Sequence, residues 1–329
     1  MMKAVVQTGF GDPAAVLRVA EVDKPTAAVE DGVLVRVKAA SIHIGAVYGV
    51  RGYPKIMRSM FKSFIGENGV IGQNMAGIVE TVGKNVAHVN VGDEVFGAAT
   101  GAFAEYAATT ADALAVKPSN LTFEQASAIG VSATTALQAL RDHGSLQQGQ
   151  HVLITGASGG VGTFAVQLAK AMGAEVTGVC STRNLDLVRS IGADHVIDYT
   201  QENFTMGDPQ YDLIFDNVGA HSLKDMRRVL TADGLLLANG APAPAGWFGG
   251  LDHVLKVMFA SLLSRQQGRP FLSTENANDR NRLRELAEAG KIAPVIDHVF
   301  ALDDAVAAVA SVGNGHNQGT SVIAMQSAS

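Results

Sequence analysis

The chain has 329 residues, 47% of them hydrophobic and 17% charged, so it can bury large cores and favours a two-domain organisation. The net charge of −6 argues against a surface for nucleic acid or for an anionic membrane. The single cysteine, Cys180, excludes an internal disulfide and a zinc lobe built from several cysteines.

Short β-branched runs dominate from residue 1 to about residue 121. Residues 3–7 begin a strand rather than a long apolar signal, so we expect a cytoplasmic protein. Glycines and Asp-Gly or Gly-Asp pairs separate further runs at 33–37, 77–82, 94–96 and 103–107. This pattern predicts a small antiparallel β-barrel or sandwich.

Residues 51–67 are amphipathic and unusually rich in large apolar side chains. These are Tyr53, Met57, Met60, Phe61 and Phe64. We expect this segment to cover a substrate cleft as a helix or lid, because such walls suit a planar hydrophobic ligand. Core packing and a contact in a homodimer remain open alternatives.

The hydrophobic period changes at about residue 122. Helices predicted at 132–143, 160–172 and 184–191 alternate with strands at 151–155, 175–180, 195–197, 211–216 and 234–238. This alternation predicts an α/β protein with a doubly wound parallel sheet, the Rossmann architecture.

Three later segments complete the prediction. Residues 241–250 are rich in Ala, Pro and Gly and predict a loop at the end of a sheet strand, where ligands bind in such folds. Residues 251–263 are apolar but too short and too polar to span a bilayer. From about residue 291 the chain returns to a strand, a helix at 303–312 and a closing strand at 320–325.

The most informative stretch is VLITGASGGVG at residues 152–162. A strand, a glycine-rich turn and a helix follow each other, and this arrangement presents backbone amides and a positive helix end to a pyrophosphate. A plain tight turn is the alternative interpretation. The residues predicted to bind the dinucleotide here are Gly156, Ala157, Ser158, Gly159, Gly160 and Val161.

The turn after the next strand indicates which dinucleotide binds. Sites that prefer NAD usually place an acidic residue there to bind the ribose 2′-hydroxyl. Here Ser181, Thr182 and Arg183 follow strand 175–180, and two hydroxyls with a guanidinium suit a phosphate. We therefore predict NADPH as the cofactor, with a merely solvated Arg183 as the alternative.

Seven segments together resemble the zinc-independent quinone oxidoreductase branch of the medium-chain dehydrogenase/reductase superfamily. They are AGIVETVG at 76–83, VGDEVFG at 91–97, GAFAEY at 101–106, TALQAL at 135–140, the glycine turn, GADHVIDY at 192–199 and FDNVG at 215–219. The resemblance implies a GroES-like catalytic domain over 1–121, completed by 291–329, and a Rossmann domain over 122–290. It also implies that the cofactor lies in the cleft between them.

The resemblance extends the set of expected cofactor contacts. Thr135 is expected at the nicotinamide end, although an internal helix hydroxyl is the alternative, and Tyr199 is expected near the adenosine phosphate. The ends of the fourth and fifth strands should face the cofactor. They carry Asn217 and Val218, and Asn239, Gly240 and Ala241.

The positions of the zinc ligands in zinc-dependent relatives carry other residues here. Where those relatives have a cysteine and a His-Glu pair, this chain has His43 and Gln73-Asn74. One imidazole does not hold catalytic zinc, which needs three protein ligands, so we predict no metal. Without a Lewis acid to stabilise an alkoxide, we expect hydride transfer to conjugated acceptors, which spread the resulting negative charge over several atoms.

The substrate side departs further from the usual pattern of the branch. His43, Ile44 and Ala46 replace its Asn, Pro and Asp, Asn74 replaces a second Asp, and Thr320 replaces a Lys. The candidate catalytic residues are His43, which titrates near neutral pH, and Tyr48 and Tyr53, with packing as the alternative for each.

These observations predict an NADPH-dependent, zinc-free oxidoreductase that transfers hydride to a quinone or an α,β-unsaturated carbonyl. Two alternatives remain open. The chain could be a non-catalytic NADPH-binding sensor, or a carbonyl or alcohol dehydrogenase in which His43 and a tyrosine replace zinc.

Overall fold

The computed structural model describes residues 1–26, 30–207, 210–239, 266–315 and 317–325. Its contacts divide the chain into unit 1, Met1–Ser132 with Glu275–Ser329, and unit 2, Ala133–Thr274. The domain boundaries expected from the sequence, 1–121 with 291–329 and 122–290, stay a prediction.

The described residues contain the following elements. The strands are β1 (Met2–Gln7), β2 (Leu17–Val22), β3 (Gly32–Ile42), β4 (Asn74–Val82), β5 (Glu94–Ala98), β6 (Tyr106–Thr110), β7 (Leu114–Val116), β8 (His151–Thr155), β9 (Glu175–Cys180), β10 (His195–Asp198), β11 (Tyr211–Asp216), β12 (Leu230–Ala238), β13 (Gln267–Pro270), β14 (Ile296–Ala301) and β15 (Thr320–Ala324). The helices are α1 (Pro13–Val16), α2 (Ile44–Arg51), α3 (Arg58–Lys62), α4 (Phe123–Gln138), α5 (Gly160–Ala171), α6 (Leu185–Ser190), α7 (Leu223–Arg228), α8 (Ala277–Glu288) and α9 (Ala305–Val312).

Unit 1 is built on a mostly antiparallel sheet. The strand order is β14-β15-β3-β4-β5-β7, β6 also pairs with β3, and only β14 and β15 run parallel. Val35, Met75 and Phe103 are among the apolar side chains fully buried in its core. The predicted β-rich N-terminal domain is therefore confirmed.

The strand predicted at 103–107 begins only at Tyr106. The backbone of Phe103 instead bonds to Val5 and Ile71, and the amide of Glu105 bonds to Lys3. These residues thus connect the main sheet to the two-stranded sheet of β1 and β2, and this pairing between distant segments has no local sequence signal.

Unit 2 contains the predicted doubly wound parallel sheet. Its order is β10-β9-β8-β11-β12-β13. β9 and β10 lie on one side of β8, and β11 to β13 lie on its other side, so the strand order reverses between β8 and β11. Leu153, Ile154 and Phe215 lie fully buried at its centre. Ligands bind such sheets at the carboxyl ends of the strands on either side of this reversal.

Several predicted elements of unit 2 have different bounds. The helix predicted at 132–143 begins earlier, as α4, is kinked at Gly130, and passes into one π-helical turn at Ala139–His143. The strand predicted at 234–238 begins at Leu230, and the polar strand β13 was not predicted. Polar sequences such as QGRP carry no alternating apolar pattern, so β13 could not be predicted from periodicity.

Residues 51–67 do not form one helix. α2 ends at Gly52, whose φ of 66° places it in the left-handed region, and a short 3₁₀ turn then leads into α3. Phe61 is buried whereas Met60 and Phe64 are exposed. The role of this segment as a substrate lid stays a prediction.

The loop predicted at 241–250 and the apolar segment at 251–263 lie outside the described residues. Within the described ranges, no helix is long and apolar enough to cross a membrane.

Candidate functional site

The glycine turn of unit 2 forms a compact link between β8 and α5. Gly156 has a φ of 62°, and its carbonyl accepts a hydrogen bond of 3.0 Å from the amide of Gly159. A Cβ atom at Gly162 would lie 2.1 Å from the same carbonyl. Only glycine allows the first turn of α5 to approach the turn this closely.

The N-terminus of α5 is suited to an anion. Its cap residue, Gly159, provides no side-chain acceptor, and its first turn contains no acidic residue. The amides of Gly160 and Val161 therefore meet an incoming anion together with the positive end of the helix dipole. A pyrophosphate fits this cradle, because neither the cap residue nor the first turn of α5 provides a side-chain acceptor for these amides.

Two buried contacts hold the rest of the turn in place. The amide of Ala157 donates to the carbonyl of Val179 at 3.1 Å, which attaches the turn to β9. The side-chain amide of Asn184 donates to the hydroxyl oxygen of Ser158 at 2.8 Å, and both side chains are buried. No motif marks Asn184, so sequence reasoning missed this residue.

An acidic side chain lies beside the turn of Ser181 and Thr182, although none follows β9 in the chain. Asp198 ends β10 in register with Cys180, and it accepts hydrogen bonds of 2.5 Å from the hydroxyl of Thr182 and 2.7 Å from that of Thr200. The bond from Thr182, aided by Thr200, lowers the pKa of Asp198. The carboxylate thus accepts hydrogen bonds from both hydroxyls, and the first of these bonds positions the side chain of Thr182.

Arg183 and Tyr199 follow the neighbouring parallel strands β9 and β10. Arg183 is exposed, Tyr199 is 58% exposed, and the amide of Tyr199 bonds to the carbonyl of Cys180 at 3.1 Å. The chain therefore places Ser181, Arg183 and Tyr199 just after the ends of two paired strands. Their contact with an adenosine phosphate stays a prediction.

Asp216 organises the carboxyl end of β11. This side chain is only 2% exposed, and its Oδ1 accepts hydrogen bonds from the hydroxyl of Thr155 at 2.6 Å and from the amides of Val218 and Gly219 at 3.1 and 3.0 Å. The carboxylate therefore fixes the turn that follows β11 to the end of β8.

The two predicted asparagines extend this network. The backbone amide of Asn217 donates to Thr155 Oγ1 at 2.9 Å. The side-chain Nδ2 of Asn239 donates to Asn217 Oδ1 at 2.8 Å. The structure thus brings together the ends of β8, β11 and β12, as the doubly wound sheet predicts. Val218 is 46% exposed beside them, whereas Gly240 and Ala241 lie outside the described residues.

Replacing Asp216 with alanine is expected to lower the free energy of unfolding by about 2 kcal/mol. The change leaves buried donors of Thr155, Val218 and Gly219 without their acceptor, and each such loss is costly. Urea denaturation followed by circular dichroism measures the effect. Asp212→Ala, at the half-buried opposite end of the same strand, is the control, and an equal loss in both variants would contradict this role for Asp216.

Thr135 projects from α4 toward the segment after β13. Its hydroxyl lies 2.8 Å from that of Ser273, and Gln138 exchanges two hydrogen bonds with the backbone of Thr274, at 2.7 and 3.0 Å. Sequence reasoning missed Gln138, Ser273 and Thr274, since the pairing joins residues far apart in the chain. The contact of Thr135 with the nicotinamide stays a prediction.

His43 lies at the start of α2 in unit 1. Its Nε2 atom is 2.8 Å from Gln73 Oε1, so this nitrogen carries the proton and donates. Burial lowers the pKa of His43, and the bond to Gln73 opposes this shift. The imidazole is therefore uncharged at neutral pH.

The residue beside Gln73 has a structural partner. Asn74 is buried, its Oδ1 accepts from the amide of Val131 at 3.4 Å, and a Cβ at Gly130 would lie 2.4 Å from that oxygen. The structure thus places His43 next to Gln73, while Asn74 supports the kink in α4. Among the described residues, no group of three His, Cys, Asp or Glu side chains could hold a metal ion.

Tyr48 and Tyr53 are both half-buried in unit 1. Tyr48 lies on α2, and its carbonyl accepts a hydrogen bond from the amide of Tyr53 at 3.1 Å. Burial raises the pKa of Tyr48, so its phenol remains a proton-bearing group at neutral pH. Their roles toward an acceptor stay predictions.

Two protein-family descriptions match the chain. "Alcohol dehydrogenase GroES-like domain" matches residues 29–119, and "Zinc-binding dehydrogenase" matches residues 191–323. These matches agree with the antiparallel sheet of unit 1 and with the later part of the parallel sheet of unit 2.

Curated relatives and a solved structure extend the comparison. The mouse "NAD(P)H oxidoreductase RTN4IP1, mitochondrial" is 33% identical over 290 residues, covering 77% of this chain and 69% of the relative. The Arabidopsis thaliana "NADPH-dependent alkenal/one oxidoreductase, chloroplastic" is 30% identical over 280 residues, covering 82% and 65%. The quinone oxidoreductase from Coxiella burnetii superposes with a TM-score of 0.84 at 28% identity, covering 99% of each chain.

Proposed function

The chain belongs to the zinc-independent, quinone-oxidoreductase-like branch of the medium-chain dehydrogenase/reductase superfamily, and on this basis we propose that it reduces quinones or α,β-unsaturated carbonyls with NADPH. The observation that carries the proposal is the anion cradle of unit 2, in which Gly162 permits the close turn and neither the cap nor the first turn of α5 provides a side-chain acceptor. The relatives that act on alkenals, alkenones or quinones support the same substrate class.

The residues of unit 2 would bind and orient the cofactor. Bound NADPH would supply the hydride. Gly160 and Val161 would hold the pyrophosphate, Arg183 and Tyr199 the adenosine phosphate, and Thr135 the nicotinamide end. The networks around Asp216 and Asn184 would keep these groups fixed before binding, which lowers the entropic cost of positioning.

The residues of unit 1 support a conjugated acceptor. A simple ketone that receives hydride concentrates negative charge on one oxygen, and Gln73 and Asn74 supply neutral amides where zinc ligands would be needed. A quinone or an enal spreads this charge over several atoms. A neutral imidazole at His43, a phenol of Tyr48 or Tyr53, or water then suffices to donate a hydrogen bond or a proton.

Purified protein should consume NADPH in the presence of 1,4-benzoquinone or an enal, as followed by the loss of nicotinamide absorbance. NADPH binding without turnover across quinones, enals and ketones would contradict the proposed function and favour the sensor alternative. Oxidation of simple alcohols with NADP⁺ at comparable rates would favour the dehydrogenase alternative.

His43→Ala is expected to lower kcat for an enal by less than about 100-fold, the lower end of what general acids contribute, because water can take over proton delivery. The wild-type rate should show no step near the ordinary pKa of histidine, since burial lowers the pKa of His43 and the ring stays neutral there. A pH–rate profile of both proteins checks this. Complete loss of turnover in a variant that still binds NADPH would contradict it.

We also propose that the protein acts in the cytoplasm on a small hydrophobic acceptor, without nucleic acid, and that it forms a homodimer. The single cysteine, which excludes an internal disulfide, supports the cytoplasm, and the net charge of −6 supports the absence of nucleic acid. Two compared relatives carry mitochondrial or chloroplastic in their names, so cell fractionation is the deciding test of location. Light scattering after size-exclusion chromatography tests the dimer.

A further inference from the structure

Three large apolar side chains follow each other at four-residue intervals on the outside of unit 1. Ile56, Met60 and Phe64 are 52%, 44% and 40% exposed, and we refer to them as the apolar stripe. Phe61, between them in the chain, is buried. Phe61 therefore packs into unit 1, whereas the three side chains of the apolar stripe face solvent. Exposed apolar groups of this kind are typical of a surface that contacts an apolar phase.

The segment that carries the apolar stripe is mostly basic. Residues 51–67 contain Arg51, Lys55, Arg58 and Lys62 and one acidic residue, Glu67. The chain as a whole carries a net charge of −6, so these cations are concentrated in one segment.

Two of the four cations are available to a partner. Arg58 donates to the carbonyl of Gly52 at 3.1 Å and stacks on Phe10, and the guanidinium of Arg51 packs against Gly313, so both arginines are engaged within the unit. Lys62 is exposed and Lys55 half-buried, and neither forms an ion pair with a carboxylate of the described ranges. Lys55 directly precedes the apolar stripe in the chain, and Lys62 lies between Met60 and Phe64.

We propose that the apolar stripe, together with Lys55 and Lys62, forms a peripheral docking surface for an anionic lipid bilayer. Apolar side chains that enter the headgroup boundary, with lysines beside them that meet lipid phosphates and carboxylates, are the chemistry of interfacial binding. The net negative charge of the chain does not prevent this contact, because charges beyond about 8–10 Å are screened at physiological salt.

Other occupants fit these observations less well. A two-fold contact through this surface would bring like-charged lysines of two copies together, which opposes association. A nucleic acid would leave the aliphatic side chains of Ile56 and Met60 without a matching surface, since phosphates and base edges are polar. The proposed contact is a superficial one, and it does not depend on which acceptor the protein reduces.

Vesicle co-sedimentation tests the proposal. The full chain should sediment with vesicles of phosphatidylcholine and phosphatidylserine and remain in solution with phosphatidylcholine alone, and salt should weaken the binding. Each lysine near an anionic surface contributes about 1 kcal/mol, so Lys55→Gln and Lys62→Gln should each lower the partition coefficient about fivefold. Phe64→Ser combined with Met60→Ser should lower it further at every salt concentration.

The controls are Lys84→Gln and Val91→Ser, which change an exposed lysine and an exposed apolar residue of unit 1 away from this segment. They should bind vesicles like the wild type, and thermal unfolding should confirm that all variants are folded. Three results would overturn the proposal: no binding to either vesicle, equal binding to both, or equal losses in the control and segment variants. A change of oligomeric state in the stripe variants, with vesicle binding intact, would instead assign this surface to a second copy.

Discussion

Replacing Arg183 with alanine is expected to weaken NADPH binding by roughly 10- to 150-fold and to leave NADH binding nearly unchanged. Arg183 is exposed two residues after Ser181, which follows β9, and Tyr199, also exposed, follows the neighbouring strand β10. A lost charge-assisted hydrogen bond typically costs ~1.5–3 kcal/mol, which corresponds to this range. Fluorescence or calorimetric titration of both cofactors measures it.

Arg189→Ala is the matched control, since this exposed arginine of α6 pairs with Asp186 on the same helix. It should bind NADPH and NADH like the wild type. Asp198 gives a second criterion. Its carboxylate accepts hydrogen bonds from Thr182 and Thr200. If it accepted one from the ribose 2′-hydroxyl instead, the wild type would prefer NADH. Either that preference or an equal loss of both cofactors in Arg183→Ala would contradict the NADPH assignment.

Conjugated acceptors are expected to react at least ~100-fold faster than simple ketones, which corresponds to about 2.7 kcal/mol of activation free energy. The difference follows from where the charge goes after hydride transfer. The neutral imidazole of His43, donating to Gln73, and the neutral amides of Gln73 and Asn74 provide no cation for a localised alkoxide. Initial rates of NADPH oxidation with quinones, enals and acetone-like ketones measure the ratio.

A chelator serves as the control for this ratio, because a metal that the enzyme had acquired would raise the ketone rate. The rates with conjugated acceptors should be the same with and without it. Comparable rates for ketones and quinones would show that the site contains a strong electrophile, and chelator-sensitive rates would identify it as a metal.

Much of unit 2 could be predicted from local sequence, because strands buried on both faces and a glycine turn leave strong signals. The positions of β8, β9 and β11 agree with the predicted bounds, as does the start of α5 at Gly160. The glycines of the turn are identifiable because each meets a steric requirement, as Gly162 does against the carbonyl of Gly156.

The supporting contacts could not be predicted, since they join residues that are distant in the chain. The bond of Asn184 to Ser158 and that of Thr182 to Asp198 depend on how neighbouring strands align. The exchange of hydrogen bonds between Gln138 and Thr274 spans more than a hundred residues. Polar residues of this kind have no periodicity, so only the folded chain shows their partners.

His43 shows what could not be predicted from the sequence among the residues expected to contact the substrate. Its departure from the usual residue of the branch was visible in the sequence, but its neutral state was not. That state follows from burial, which lowers the pKa of His43 against the opposing hydrogen bond to Gln73, a residue just before β4. The chemistry available to the ring therefore depends on packing rather than on residue type.

Transfer of deuterium from NADPH to an enal is the most direct test of the proposed reaction. NADPH labelled at C4 of the nicotinamide, with each of the two stereoisomers used in turn, is incubated with the enzyme and the enal, and the product is analysed by mass spectrometry and NMR. We expect one of the two isomers to deliver one deuterium per turnover to the β-carbon of the product. Label at the carbonyl carbon, or NADPH oxidation that gives no labelled product with either isomer, would contradict the assignment of this chain as a reductase of conjugated acceptors.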